Sequence, residues 1–404
     1  MTTIRHGQSD QAWVGAAERV HPEDTAQVAA ILADAHRRGL AVVPTGAGTK
    51  LTWGTPPRRC DILLDLSRLT EVVEHGVGEY VVVAGAGLRL STLQTRLAEV
   101  GQQLALDPAR DGTLGGIVAT GDNGPARLLY GAPRDLVIGA TMVRADGVIA
   151  KSGGKVVKNV AGYDLGKLLT GSYGTLAVLT TLAFRLHPVP QARRWISVAE
   201  TDPRRLAELS QALIHSTVVP AALEVTRAVP SGPAGTRSGE LAVCVVGVEA
   251  GVAGCAQEAA RLLGSTARLA DEPPPWWRAT PGAPGEPLVK LTFPLSRIEA
   301  ALAAVDAAAA DAGVAVAVRA STGVGVAWVE APGAEPEQVV RLVRRMRDAA
   351  TAYEGGVVLL DGPAAAKAGV DVWGPVRGLE LMRAVKDRFD PAGVLAPGRF
   401  VGGI

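Results

Sequence analysis

Three glycine-dense segments have the residue types of a pocket built from backbone: DGTLGGIVATGDNGP at 111–125, GGKVVKNVAGYDL at 153–165 and TGSYGTLAVLT at 170–180. Glycine set among apolar and β-branched residues lets the main chain reach contact distance with a neighbour and adopt positive φ, because no Cβ stands in the way. A large flat cofactor is the economical neighbour. A fourth segment, LAVVPTGAGTKL at 40–51, is a short apolar strand running straight into Pro44, Thr45, Gly46, Ala47, Gly48 and Thr49. Successive N–H groups in such a turn form a concave anion site, and the threonine hydroxyls add donors, which suits a pyrophosphate.

Two common nucleotide motifs fail on spacing. Residues 46–51 and 85–90 open as G-x-G but lack the third glycine of the dinucleotide fingerprint. GYDLGKL at 162–168 has one residue too few between its glycines for a P-loop, and Leu168 stands where Ser or Thr would hold magnesium. The nucleotide is therefore expected to be held some other way.

In order and spacing, PTGAGTKL, GTLGG, KNVAGYDL, GSYGTLAVLT, AGVDVWGP at 368–375 and FDPAGVLAPGRF at 389–400 resemble the flavoproteins of the vanillyl-alcohol oxidase and para-cresol methylhydroxylase (PCMH) type. More particularly, the chain resembles the FAD-binding accessory component of the bacterial glycolate oxidase (glycolate dehydrogenase) complex. The resemblance runs from His21 to the C-terminus. It implies an α+β fold: a two-subdomain PCMH-type FAD-binding domain at 1–190, an α+β cap domain of the substrate type at 191–375, and a segment at 376–404 that returns to the FAD domain. It also implies FAD, held non-covalently, because GAGTKL lacks the histidine that tethers the flavin in some relatives.

Carried over residue by residue, the resemblance sets the pyrophosphate on residues 44–49. Gly112, Thr113, Leu114, Gly115, Gly116, Ala119, Thr120 and Gly121 resemble the segment that passes the pyrophosphate and reaches the pyrimidine side of the ring. Donors there stabilise the negative charge of reduced flavin. Gly171, Gly174 and Val178 are expected against adenine or ribitol. Arg399 is the candidate positive group near the cofactor, its alternative being a surface arginine on a frayed tail. By the resemblance, Tyr173 stands where most relatives with their own dehydrogenase activity carry Glu and the accessory component carries Tyr. Lys155 and Lys158 are either cations set against a reduced flavin or a carboxylate substrate, or solvated surface groups. Tyr163 and Asp164 cap and pack the following helix, Asp being a strong N-cap, with Tyr163 or a lysine as an alternative base.

No catalytic residue or metal ligand is assigned. All six histidines precede residue 216. Relatives that oxidise 2-hydroxy acids carry histidines on two cap strands, in a motif resembling GHxGDGNxH, whereas ASTGVGVAW at 320–328 has Ser321 and Trp328 at those places. Neutral imidazole is the usual base and metal ligand near pH 7, so the substitution argues against independent oxidation of a hydroxy acid.

Composition sets the remaining bounds. A chain of 404 residues with 48% hydrophobic content has room for two or three domains with sizeable cores. A formal net charge of +1 leaves no polyanion-binding face, so nucleic acid is not an expected partner. Three scattered cysteines, with no CxxC, exclude an intrinsic iron–sulfur cluster and fit a reducing compartment. MTTIRHGQSD lacks a signal-peptide core, and Asp306 and Asp311 interrupt the alanine-rich run at 300–312, so no membrane span is expected. The expected location is cytoplasmic, with any membrane association made through a partner.

The elements that must position these residues are also legible. Residues 23–38 have the apolar spacing Val28, Ile31, Leu32, Ala35 of an amphipathic helix, with Gly39 past its end. YVVVAGAG from Tyr80 reads as a strand leading to a helix from Ser91, where Ser91 and Gln94 have capping-box spacing. Strands are expected at 136–144, 147–151 and 176–186, with His187-Pro188-Val189-Pro190 as a boundary. Beyond it, strands at 221–225 and 241–248 alternate with helices at 254–263 and 296–312, around a Pro/Gly-rich loop at 271–287. A last helix spans 378–388. The resulting reading is a FAD-binding subunit working with a second, catalytic FAD-binding subunit and an iron–sulfur subunit on a small 2-hydroxy acid. The alternatives are a self-sufficient FAD-dependent dehydrogenase and a non-catalytic scaffold with weak or no FAD.

Overall fold

The computed structural model describes residues 17–154, 162–230, 237–279 and 282–404. They fall into two units, one comprising the described residues within 17–123, 131–189 and 375–404, the other those within 124–130 and 190–374.

The first unit begins with a parallel sheet of β1 (Glu18–Val20), β2 (Val42–Thr45) and β3 (Ile62–Asp65), in the order β1-β3-β2. Helix α1 (Thr25–Arg38) makes the connection from β1 to β2 and buries the expected Val28, Leu32 and Ala35. Its N-terminus is capped by the Asp24 carboxylate, which accepts the Gln27 N–H at 2.7 Å, and it stops at Gly39, whose φ of 64° suits a residue without Cβ. Leu395, near the C-terminus, pairs in parallel with Val42, so the tail adds to the β2 edge.

The second sheet of this unit is antiparallel, in the order β4 (Val72–Gly76), β5 (Val81–Gly85), β9 (Val178–Arg185), β7 (Val137–Val143), β8 (Ile149–Gly153). A small pair, β6 (Gln102–Gln103) and β10 (His187–Pro188), lies apart from it. Helices α2 (Leu90–Ala98) and α3 (Leu114–Thr120) bury Leu93, Leu97, Leu114, Ile117 and Val118 in one core with Leu182 and Phe184 of β9. The expected capping box is not formed: Arg89 is the N-cap of α2 and makes no side-chain cap bond. The cap comes instead from distant Asp111, whose carboxylate accepts the Ser91 N–H at 3.0 Å and the Ser91 hydroxyl at 2.8 Å. Gln94 turns to the Leu104 backbone, a pairing that local spacing does not reveal.

The other unit is built on one eight-stranded antiparallel sheet. Its order is β14 (Arg268–Ala270), β11 (Ala192–Ala199), β13 (Gly239–Gly247), β12 (Ala222–Arg227), β16 (Ala317–Ser321), β17 (Val326–Glu330), β15 (Leu288–Thr292), β18 (Gly356–Asp361). Strand alternation gives it one strongly apolar face, including Val225, Val243, Val318 and Val329. Against that face lie the apolar stripes of α4 (Pro203–Ile214), α5 (Glu249–Leu263), α6 (Ile298–Ala312) and α7 (Pro336–Ala350). The alanine-rich run is α6, which buries Leu302 and Val305 in this core. Among the described residues no helix is long and apolar enough to cross a membrane.

Candidate functional site

The first unit contains a cleft with about 790 Å³ of empty space, part of it open to solvent. Its lining joins segments far apart in sequence: the turn 44–49 after β2, Thr113, Gly115, Gly116, Ala119 and Thr120 of the α3 region, Gly174 and Val178 leading into β9, and Arg399 of the tail. Four expected residues stand behind the lining. Leu114 is fully buried in the apolar core, and the Gly112 carbonyl accepts the Leu90 N–H at 3.0 Å. Gly121 ends α3 at φ 62°, and the N–H groups of both Gly121 and Gly171 donate to Val118 O at 3.0 Å.

The turn after β2 leaves donors to spare. Among the described residues, the backbone N–H groups of residues 46–49 donate no hydrogen bond within the chain. All four residues line the cleft, Gly48 at its exposed edge, and successive N–H groups without a partner in the chain suit an anion.

Several glycines serve the protein's own packing, which narrows the expectation that they approach a cofactor. A Cβ on Gly46 would lie 2.2 Å from the Thr113 hydroxyl oxygen, and one on Gly115 would lie 2.9 Å from the Ala86 Cβ. At Gly174, where φ is 73°, it would lie 2.7 Å from the Pro44 ring. Gly116, which lines the cleft with them, differs, since the only close neighbour of its Cβ would be the Thr113 hydroxyl oxygen at 3.0 Å.

Sequence reasoning missed Lys50 in the cleft wall. This side chain is 7% exposed, its Nζ lies 2.9 Å from Asp122 Oδ2 and 3.2 Å from the Thr49 hydroxyl, and it sits 5.6 Å from the Trp53 ring centre. Its signal was its place directly after GAGT. Arg399 is buried rather than frayed, and its guanidinium donates to the carbonyls of Lys50 at 3.0 Å and Leu51 at 3.2 Å. Burial pushes that guanidinium down to about 10, against the opposing pull of Tyr173, which leaves it a cation at neutral pH. The cleft wall thus carries two cations, one of them paired with Asp122.

Tyr173, also in the lining, takes φ 56° while its N–H donates to Ala119 O at 2.8 Å, and its ring stacks on Phe400 with centres 5.7 Å apart. Burial raises its hydroxyl above the ordinary tyrosine range, partly offset by Arg399. Lys155 and Lys158 lie outside the described residues. Tyr163 is 92% exposed and absent from the lining, while Asp164 caps the helix Leu165–Leu169 by accepting the Lys167 N–H at 3.2 Å.

In the other unit, Ser321 ends β16 and is 2% exposed, and Trp328 lies on β17 opposite Arg319. Among the described residues no group of three or more His, Cys, Asp or Glu is placed to hold a metal.

Residues 16–153 match the model of the FAD binding domain, and residues 289–400 match that of the FAD linked oxidases, C-terminal domain. The chain belongs to the FAD-linked oxidases of the PCMH type, an α+β oxidoreductase family whose cofactor is FAD. A D-lactate dehydrogenase of Archaeoglobus fulgidus is 38% identical over 170 residues, 42% of this chain and 38% of that protein. The glycolate oxidase subunit GlcE of Escherichia coli is 40% identical over 144 residues, 34% of this chain and 41% of that protein. These matches span about two fifths of the length of the curated relatives. Among solved structures, an alkyldihydroxyacetonephosphate synthase is similar with a TM-score of 0.67 at 17% identity, over 95% of this chain and 77% of that one, a likeness of fold.

Proposed function

We propose that this chain is the FAD-binding subunit of a 2-hydroxy-acid dehydrogenase complex of the glycolate oxidase kind, holding a dissociable FAD in the cleft of its first unit. The spare N–H groups of residues 46–49 receive the pyrophosphate, Lys50 and Arg399 balance its charge, and the Gly116 face of α3 lets the cofactor approach the backbone. When bound, FAD supplies two-electron acceptor chemistry, while the chain's own residues bind it, orient it and shield it from water.

What carries the subunit reading is the pair Ser321 and Trp328, which the motif resemblance sets where relatives that oxidise 2-hydroxy acids typically carry histidines. Neither is a neutral-pH base, and Tyr163, one of the two alternatives to them, is exposed outside the cleft. The match to a protein named as a glycolate oxidase subunit adds support. A partner FAD-binding subunit then takes the substrate proton and electrons, and an iron–sulfur subunit carries electrons onward.

The test is anaerobic stopped-flow of the isolated, FAD-loaded chain with glycolate and with D-lactate, with and without divalent metal. No bleaching at turnover rates is expected, because lack of a positioned base forfeits about 10²- to 10⁴-fold in rate. Co-purified complex should bleach. Turnover-rate bleaching of the isolated chain would promote a self-sufficient dehydrogenase, and a chain that takes up no FAD would leave the scaffold.

A further inference from the structure

Helix α8 (Leu379–Phe389) carries Lys386 on a mostly exposed surface, yet this lysine is 8% exposed and lies outside the cleft lining. Its ammonium has three donors, and all three are used. They go to Asp390 Oδ2 at 2.6 Å, Thr175 O at 2.8 Å and Leu395 O at 3.0 Å. Asp390, 2% exposed, also accepts the N–H groups of Val394 at 2.9 Å and Leu395 at 2.7 Å. One ion pair therefore joins the loop before β9 to the start of the tail.

Both segments lead directly to the cleft. Thr175 is fully buried and its hydroxyl donates to Ser172 O at 2.7 Å, fixing the turn that carries Tyr173. From Leu395 the tail runs along β2, with Val42 N donating to Val394 O at 2.8 Å and Ala396 N to Val42 O at 2.9 Å. Arg58 N then holds Pro397 O at 2.8 Å, and the tail delivers Arg399 into the wall and Phe400 onto the Tyr173 ring. The two segments meet in that stack, so a shift of either moves the wall. A buried ion pair is a poor source of net stability against apolar residues of the same size, but it fixes geometry wherever its partners are fully used.

We propose that Lys386 and Asp390 are positioning residues for the cofactor cleft: by clamping Thr175 to Leu395 they hold Tyr173 and Arg399 in register, and FAD affinity depends on that clamp. The inference rests on the cleft being the FAD site.

The experiment is a double-mutant cycle on FAD affinity, read by flavin fluorescence titration of apoprotein at 10 °C, with the melting temperature of each apoprotein measured alongside. Lys386→Met and Arg399→Gln should each weaken binding about tenfold or more, and the double variant should be little weaker than the worse single one, as for residues acting through one element. Fold-effects that multiply would show that Lys386 does not act through the tail and would overturn the clamp. So would a Lys386→Met protein that melts earlier yet binds FAD like wild type, since that is a purely structural role. Where Lys386→Met does not fold, Asp390→Asn, which keeps an oxygen for the Val394 N–H, carries the same cycle. Wild-type apoprotein that quenches no FAD fluorescence would overturn the cleft assignment itself, and the clamp with it.

Discussion

Gly116→Val should raise the FAD dissociation constant by about a hundredfold, the ~3 kcal/mol at the upper end of forced overpacking. Its fold should stay within about 1 kcal/mol of the parent, because valine in a helix is no worse than glycine and only the Thr113 hydroxyl crowds the new Cβ, at 3.0 Å. The added methyl groups enter the cleft. Gly115→Val, one residue away, is the control: its Cβ meets the Ala86 Cβ at 2.9 Å and the Ala86 carbonyl oxygen at 3.1 Å, so it should lose stability first. Fluorescence titration with FAD and thermal unfolding of both variants separate the two effects. Full FAD affinity in Gly116→Val would mean that the cofactor does not approach α3.

Lys50→Met should destabilise the protein by about 3–5 kcal/mol, the cost of leaving one member of a buried ion pair without its partner. Its partner Asp122 has a side chain only 13% exposed and would keep its charge inside the wall. FAD affinity should also fall about tenfold or more, the worth of a hydrogen bond to a charged group. Adding Asp122→Leu should recover much of the stability and none of the affinity, because it removes the stranded carboxylate without restoring the cation. Chemical denaturation and FAD titration give both numbers. A double variant that remains as unstable as Lys50→Met would show that the ion pair is not the cause.

What was legible in the sequence is what local chemistry determines. The turn at 44–49 and the glycines of 112–121 and 171–174 announce themselves by density, and the α1 stripe and Gly39 stop by spacing. Pairings across long separations were not legible. Lys50 meets Asp122, Asp111 caps α2 in place of the Ser91–Gln94 box, and Arg399 is drawn inward by the pairing of Leu395 with Val42. Lys386 and Asp390 have ordinary helical i, i+4 spacing, and nothing in that spacing tells a buried clamp from a surface pair. Glycine patterns also carry two meanings. Gly46, Gly115, Gly116 and Gly174 all line the cleft, yet a Cβ on Gly46, Gly115 or Gly174 would crowd Thr113, Ala86 or Pro44, whereas one on Gly116 would approach only the Thr113 hydroxyl, and only the fold separates the two kinds.

One dissociable FAD in the cleft formed by the 44–49 turn, α3 and the tail is the reading on which everything else depends. Acid denaturation of the purified protein, followed by flavin analysis of supernatant and pellet, tests it most directly. One FAD per chain is expected in the supernatant of the wild type, and next to none from Gly116→Val prepared in the same way. Flavin remaining on the precipitated polypeptide, or full occupancy in Gly116→Val, would contradict it.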